Sequence, residues 1–315
     1  MKIGIDTSPI RNPVKTGCGN YVANLTDALW KVDSKNEYTH YSSSWKMDVA
    51  GKIGLNDILH STAFTAPKNR GGKLIVTIYD VTFITHPQVH SKENIKVCTD
   101  GTWKAVENAD HIITLSECSK RDIAKYFKAD PKMITVTPLA AGPQFKPSNI
   151  QKGNYIFALR ADDPRKNIDT LKKAHTFLPE DIQEQYPLVC TGTEDLKYVP
   201  DRDLPALYAR ATMFVYPSLY EGFGLPILEA MACGTPVITS ETSSMPVVGG
   251  DAALYIDPNY PEELAESIMQ VIQNKPLRDR MIAQGLIRAS QYSWEKTATD
   301  TIAVYNKVTE YYAGP

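Results

Sequence analysis

The chain has 315 residues, of which 43% are hydrophobic, so it can form one large domain or two domains of ordinary size. Its formal net charge is −2, with a balance of +5 over residues 1–150 and −7 over the remainder. No run of basic and aromatic residues indicates nucleic-acid binding, and no run of about 18 apolar residues predicts a transmembrane helix. The five cysteines form no C-x-x-C pair, and no signal peptide precedes the first strand, which favours reduced thiols in a cytoplasmic protein.

The predicted elements of the first half alternate between strands and helices. One helix is predicted at residues 20–30 and another at residues 117–127, where Ser116 is a favourable N-cap. Strands are predicted at residues 2–6, 38–41, 57–60, 74–79, 111–115 and 133–137. Residues 138–153 are rich in proline and glycine and lack a helical period, so they are predicted to link two domains.

The same alternation resumes after the linker. Strands are predicted at residues 155–159, 188–191, 214–216 and 235–239, and an amphipathic helix is predicted at residues 294–312. Alternating strands and helices predict parallel sheets, here two in series, and therefore an α/β fold with two domains. A cleft between two such domains is a natural place for a ligand.

Residues 214–240 are the most informative segment, because they read as a strand, a glycine-rich turn, a helix and a second strand. Open α/β sheets bind ligands at such turns, and the backbone N–H groups at the start of a helix favour an anion such as phosphate. Glu221 and Glu229 flank this turn, and carboxylates accept hydrogen bonds from sugar hydroxyls. Alternatively, Glu221 is a solvated loop residue and Glu229 a residue favoured by the helix dipole.

The sequence EGFGLPILE at residues 221–229 resembles the E-x7-E signature of the retaining glycosyltransferases of family 4, which have the GT-B fold. Further similar segments occur in the family's order at residues 16–21, 164–167, 203–208 and 293–295. The resemblance implies two doubly wound, Rossmann-like domains that face a central cleft. Residues 1–145 would bind the acceptor and be completed by a return helix at residues 296–315, and residues 150–293 would bind the nucleotide-sugar donor.

The resemblance also implies roles for individual residues. Arg160 and Lys166 would hold the donor diphosphate, Glu229 the ribose hydroxyls, and Glu221 the hydroxyls of the transferred sugar near the reaction centre. Backbone groups near the phosphates would come from Phe223, Gly224, Leu225, Gly17 and Gly19. Lys166 and Arg160 could instead be solvated, and the glycines could serve only a tight turn. Arg165 is expected to face solvent.

One segment departs from the family pattern. Only residues 192–202 separate the strand at 188–191 from the helix that begins at Leu204, whereas a parallel crossover needs about a dozen residues including its helix. One strand–helix step is therefore predicted to be missing from the second sheet. In the doubly wound order the third strand lies at an edge, so its loss should shorten the sheet and alter the pocket for the nucleotide base.

No dedicated catalytic base is evident. Family relatives often carry histidine where this chain has Tyr79, and a neutral phenol is a poor base at pH 7. Asp80 and His86 are candidates to position an acceptor hydroxyl, although each could equally stabilise its loop. Asp203, the last residue of a formal D-x-D sequence, is predicted to cap the following helix, so neither a metal nor another cofactor is expected.

These features favour a retaining glycosyltransferase that moves a hexose from a nucleotide-diphosphate sugar to a hydroxyl of a glycan or glycolipid. The basic surplus of the first half suggests peripheral membrane contact through that domain, with an ordinary solvated surface as the alternative. Two other functions stay open, a nucleotide-sugar binding protein without transferase activity and a nucleotide-sugar epimerase on the same fold. A phosphorylase is disfavoured, because no stretch resembles the setting of a pyridoxal-phosphate lysine.

Overall fold

The computed structural model describes residues 1–11, 17–42, 55–63, 71–194, 196–197 and 199–310. The chain forms two compact units, one comprising Met1–Leu139 with Ser293–Pro315 and the other Ala140–Tyr292. The first boundary falls inside the predicted linker at 138–153, and the second immediately precedes the last helix. Among the described helices, none combines the length and the apolar character that crossing a bilayer requires.

Strands and helices alternate through both units. The strands are β1 Lys2–Asp6, β2 Glu37–Tyr41, β3 Ile58–Ser61, β4 Lys73–Thr77, β5 His111–Thr114, β6 Ile134–Val136, β7 Ile156–Ala158, β8 Leu188–Cys190, β9 Met213–Tyr216, β10 Val237–Ser240 and β11 Ala253–Ile256. The helices are α1 Gly17–Val32, α2 Thr82–Thr85, α3 Lys92–Asn108, α4 Glu117–Phe127, α5 Ile168–Thr176, α6 Glu180–Gln185, α7 Leu204–Arg210, α8 Leu225–Ala232, α9 Met245–Gly249, α10 Pro261–Gln273, α11 Lys275–Ser290 and α12 Trp294–Glu310. The predicted α/β class is therefore confirmed.

The described part of the first unit contains a six-stranded parallel sheet in the order β2-β1-β3-β4-β5-β6. Strands β3 and β5 are buried along their whole length, as expected for parallel strands that are covered on both faces. Helix α4 begins as predicted, with the side chain of Ser116 accepting a hydrogen bond from the N–H of Ser119. Helix α12 returns to this unit and packs against α1, and its Thr297 hydroxyl donates to the Pro138 carbonyl over 2.6 Å. Residues 311–312 of the predicted final helix lie outside the described residues.

A buried polar network holds α12 to the first sheet. The Nδ1 atom of His60 on β3 lies 2.7 Å from the hydroxyl oxygen of Tyr305, and Nε2 lies 2.8 Å from the Thr77 hydroxyl oxygen. The hydroxyl of Tyr21 on α1 lies 3.3 Å from the same Thr77 oxygen. Complete burial lowers the pKa of His60 to about 3, so the imidazole is neutral and has a structural role.

The second unit contains a five-stranded parallel sheet in the order β11-β10-β9-β7-β8. The doubly wound order has six strands, and the strand that would continue beyond β8 at the sheet edge is absent from the described sheet. The predicted shortening is thus confirmed, and β7 and β9 keep their central places. The carboxyl ends of β7 and β9, which carry the predicted site residues of this unit, therefore lie beside that of β10 at one edge of an intact sheet centre.

Replacement of Tyr305 with phenylalanine should lower the free energy of unfolding by about 1–3 kcal/mol, because His60 Nδ1 loses its buried partner. Urea denaturation, followed at the unfolding transition of the first unit, would measure this change in free energy. Tyr260→Phe is a matched control, since Tyr260 is exposed. Equal denaturation midpoints for the two variants would contradict the assigned role of the network.

Candidate functional site

The loop between β9 and α8 lies at the centre of the candidate site. Strands β9 and β10 pair in parallel and α8 joins them, which confirms the predicted strand–turn–helix–strand unit. Gly224 has φ of +96°, a conformation that glycine adopts without strain, and it directly precedes Leu225, the first residue of α8. Among the described residues, none accepts a hydrogen bond from the N–H groups of Phe223, Gly224 or Leu225. These three donors can therefore bind an anion.

A buried ion pair lies beside this loop. The ammonium of Lys166 donates to Glu221 Oε1 over 2.6 Å and to the hydroxyl oxygen of Tyr216 over 2.6 Å. Both charged side chains are only 9% exposed. Burial by itself would raise the pKa of Glu221, but the positive charges of Lys166 and Arg165 outweigh it and lower the pKa. Glu221 is therefore ionised, and Lys166 is held against it.

Local backbone chemistry brings these two loops together. The carboxylate of Asp163 accepts a hydrogen bond from the Arg165 N–H and starts the short 3-10 turn Pro164–Lys166. Asn167 follows in a left-handed conformation, and its side-chain amide donates to the carbonyls of Pro217 and Pro258. This amide fixes the turn that carries Lys166 to the loop that carries Glu221.

Arg165 belongs to this cluster, so the expectation that it faces solvent is wrong. Its side chain is 21% exposed, donates to Asp163 over 3.2 Å and lies 3.8 Å from Glu221 Oε2. Arg160, by contrast, is 56% exposed and donates from Nε to Asp162 over 2.9 Å. The charge of Glu221 draws Arg165 inward, whereas Arg160 has a partner of its own near the end of β7.

Glu229 lies on α8 and is buried. Its Oε2 accepts a hydrogen bond from the Tyr208 hydroxyl over 3.1 Å. Burial raises the pKa of Glu229 to about 7, the Tyr208 hydrogen bond opposes this, and the charge of Asp201 adds to it. The side chain can therefore change its charge near neutral pH, unlike Glu221.

Aromatic rings connect the surroundings of the two glutamates. The ring of Tyr208 contacts that of Phe214 at a centroid distance of 5.0 Å, and Phe214 stacks on Tyr216 at 5.5 Å. Tyr208 holds Glu229 at one end, and Tyr216 holds Lys166 at the other. The packed rings therefore keep the partners of the two acidic groups apart and leave them little freedom to move.

The candidate residues of the first unit form a separate set. Gly17 and Gly19 lie in the first turn of α1, so the prediction of a loop before a helix at residue 20 is wrong by one turn. Asp80 accepts hydrogen bonds from the N–H and the hydroxyl of Thr82, at 3.0 and 2.6 Å, which stabilise its loop. The Tyr79 hydroxyl donates to the Thr62 carbonyl over 2.6 Å, and burial raises its pKa far above the usual value.

His86 and Asp203 also have defined surroundings in the described structure. His86 Nδ1 lies 3.0 Å from the Thr85 hydroxyl oxygen. Asp203 makes no side-chain capping hydrogen bond to α7, and its backbone is helical, so the predicted cap is wrong. Over the described ranges, no group of histidine, cysteine, aspartate or glutamate side chains is arranged to hold a metal ion.

The sequence interpretation did not identify the two tyrosines and the serines that support the site. Tyr208 stood inside a recognised segment, but only its hydrogen bond reveals its role. Ser243 and Ser244 contact the loop from the end of β10, and the run of hydroxyl residues at 242–244 after a buried strand was an available signal.

Removal of one partner of the buried pair should be strongly destabilising. Lys166→Met is expected to lower the free energy of unfolding by about 3–5 kcal/mol, because Glu221 keeps an uncompensated buried charge. The double variant Lys166→Met/Glu221→Gln should regain much of this loss. Denaturation of Lys275→Met, whose ion pair with Asp279 is exposed, provides the control. If Lys166→Met and Lys275→Met lose equally little stability, the assigned role of burial is refuted.

Comparison with known proteins identifies the family of this chain. A model of the family described as glycosyl transferases group 1 matches residues 193–287, which include Glu221, Glu229 and the loop between them. The O-antigen chain mannosyltransferase B of Escherichia coli is 36% identical over 281 residues, which cover 79% of this chain and 74% of that protein.

Solved structures agree on the fold. The sucrose-phosphate synthase (tll1590) from Thermosynechococcus elongatus superposes with a TM-score of 0.81 at 17% identity, covering 98% of this chain and 99% of that one. Anabaena Alr3699/HepE, solved in complex with UDP and glucose, gives a TM-score of 0.73 at 15% identity, covering 98% and 100%. At these identities the two structures establish the GT-B architecture alone, and the family follows from the sequence relative. The chain belongs to the group 1 glycosyl transferases and is a glycosyltransferase.

Proposed function

We propose that this chain is a retaining hexosyltransferase of family 4, with Glu221 and Glu229 as its E-x7-E pair. The observation that carries the proposal is the combination of three N–H donors at the start of α8 with the buried Lys166–Glu221 pair beside them. The donor is a nucleotide-diphosphate sugar, and the acceptor is a hydroxyl on a growing polysaccharide or its lipid carrier. Mannose is the first candidate sugar, because the O-antigen chain relative is a mannosyltransferase.

The diphosphate is assigned to the turn before α8. The N–H groups of Phe223, Gly224 and Leu225 and the positive end of the helix dipole stabilise the negative charge that develops on the leaving group. Lys166 adds a buried cation, and Arg160 is proposed as a second cation that exchanges Asp162 for a phosphate. Fixed cations of this kind make a metal unnecessary, and the proposed reaction uses none.

The two glutamates are assigned to the hydroxylated ends of the donor. Glu229, ionised above its pKa of about 7, accepts hydrogen bonds from the two ribose hydroxyls. Glu221, which stays ionised beside Lys166, accepts from hydroxyls of the transferred sugar. The aromatic rings between Tyr208 and Tyr216 support this assignment, because they keep the hydrogen-bonding partners of the two carboxylates apart.

The first unit is assigned to the acceptor. Gly17 and Gly19, in the first turn of α1, would allow the donor phosphate to approach the backbone, and a Cβ on Gly17 would meet no atom within 4 Å. Asp80 would orient the acceptor hydroxyl. The acceptor oxygen forms the new bond to the anomeric carbon as the bond to phosphate breaks, and its proton passes to the departing phosphate oxygen. Catalysis in the cytoplasm, with peripheral membrane contact by this unit, completes the proposal.

Product release from a panel of sugar nucleotides tests the proposal. The purified chain should release nucleoside diphosphate from GDP-mannose or another donor when a polysaccharide acceptor is present, and proton NMR should find the anomeric configuration retained. Inverted product would refute the retaining mechanism. Donor binding without release under every acceptor condition would favour a non-catalytic binding protein instead.

The pH dependence of donor binding provides a second test. Below pH 7 the proton on Glu229 removes its capacity to accept two hydroxyls, so donor affinity should fall about tenfold per pH unit. The diphosphate diester of the donor keeps its charge over this range. Calorimetry at pH 5 to 8 measures the slope, and Glu229→Gln should bind weakly with no slope. An unchanged slope in that variant would exclude Glu229 as the titrating group.

A further inference from the structure

We propose that Ser243 and Ser244 are positioning residues that set the loop at residues 219–224 for catalysis. The inference rests on the proposed donor site. Both serines follow β10, and neither is assigned a role by the motif that contains Glu221 and Glu229. A neighbouring hydroxyl, that of Thr242, donates to the Leu219 carbonyl over 3.1 Å, so three consecutive side chains contact the loop.

Ser244 holds the inner side of the loop. Its side chain is completely buried, and its hydroxyl oxygen lies 2.8 Å from the carbonyl oxygen of Glu221 and 2.8 Å from that of Phe223. The hydroxyl has one proton and shares it between the two carbonyls. All described peptide bonds are trans, so the Gly224 N–H points away from the Phe223 carbonyl of the same peptide unit. Ser244 therefore directs the Gly224 N–H to the side of the loop opposite its own hydroxyl.

Ser243 holds the residue that carries the ion pair. Its hydroxyl oxygen accepts a hydrogen bond from the Glu221 N–H over 3.0 Å. Ser243 has φ of +55°, in the left-handed region that residues other than glycine adopt at a cost. The surrounding contacts maintain this unfavourable backbone, and the hydrogen bond it permits fixes Glu221 beside Lys166.

The two serines, here called the serine clamp, thus determine which polar groups of the loop are hydrogen-bonded within the protein. The Glu221 N–H and the carbonyls of Glu221 and Phe223 are used internally. The N–H groups of Gly224 and Leu225 are left on the side available to an anion. A misplacement of such donors by about 1 Å can cost a hundredfold in rate, which gives the clamp a measurable effect on catalysis.

Ser244→Ala and Ser243→Gly separate positioning from general stability. Ser240→Ala is the matched control, because Ser240 is a buried serine at the end of β10 whose hydroxyl has no hydrogen-bond partner among the described residues. We expect Ser244→Ala to lower kcat by roughly ten- to a hundredfold, with a smaller change in KM for the donor. Ser243→Gly should lower kcat with only a small change in melting temperature, because the relief of the positive φ partly offsets the lost hydrogen bond to the Glu221 N–H. Ser240→Ala should retain wild-type kcat.

Amide hydrogen exchange of the ligand-free protein tests the same contacts without a donor. Exchange of the Leu219 and Glu221 amides, which are hydrogen-bonded to the Arg165 carbonyl and the Ser243 hydroxyl, should accelerate by about tenfold or more in Ser244→Ala but not in Ser240→Ala. The inference is overturned if Ser244→Ala matches Ser240→Ala in exchange, or if Ser243→Gly keeps wild-type kcat. A wild-type protein that transfers no sugar would refute the proposed function instead, and the exchange result would still decide whether the clamp exists.

Discussion

The buried pair of Lys166 and Glu221 is the constraint on which the loops of the second unit depend. Removing two charges from water costs several kcal/mol for each ion, and only their short contact with supporting hydrogen bonds offsets this. The turn at 163–167 and the loop at 217–223 must therefore meet in one arrangement, which Tyr216 and Asn167 help to fix. A buried ion pair is weak evidence for stability, but it specifies where the two loops lie. That specification is what a site for a charged, multiply hydroxylated donor requires.

The second sheet provides this arrangement despite its shortened edge. Strands β7, β9 and β10 end beside one another, and the loop that follows each one supplies part of the site: the cations, the anion-binding turn and the serine clamp. The missing strand would lie beyond β8, away from these three ends, so its loss leaves the proposed phosphate-binding groups in place. Glu229 and Glu221 are kept in different electrostatic states by their neighbours, because burial raises the pKa of Glu229 to about 7 whereas Lys166 and Arg165 lower the pKa of Glu221.

Much of this could be predicted from the sequence, because local patterns determine it. The sequence alone reveals the alternation of strands and helices, the short segment at 192–202 and the residues around Glu221. Strand β11 was not predicted, since its four residues ALYI form an apolar run too short to distinguish from a helix fragment. Arg165 was misjudged because its environment depends on Glu221, a residue more than 50 positions away. The capping role of Asp203 failed because a favourable residue type does not guarantee the extended backbone that a cap needs.

A crystal structure of the chain with a nucleoside diphosphate tests the central claim most directly. The account predicts phosphate oxygens within about 3 Å of the Gly224 and Leu225 nitrogen atoms, with both ribose hydroxyls on the Glu229 carboxylate. Lys166 should remain beside Glu221 while its ammonium also contacts phosphate. A diphosphate bound away from the start of α8, with Glu229 still bonded only to Tyr208, would contradict the account.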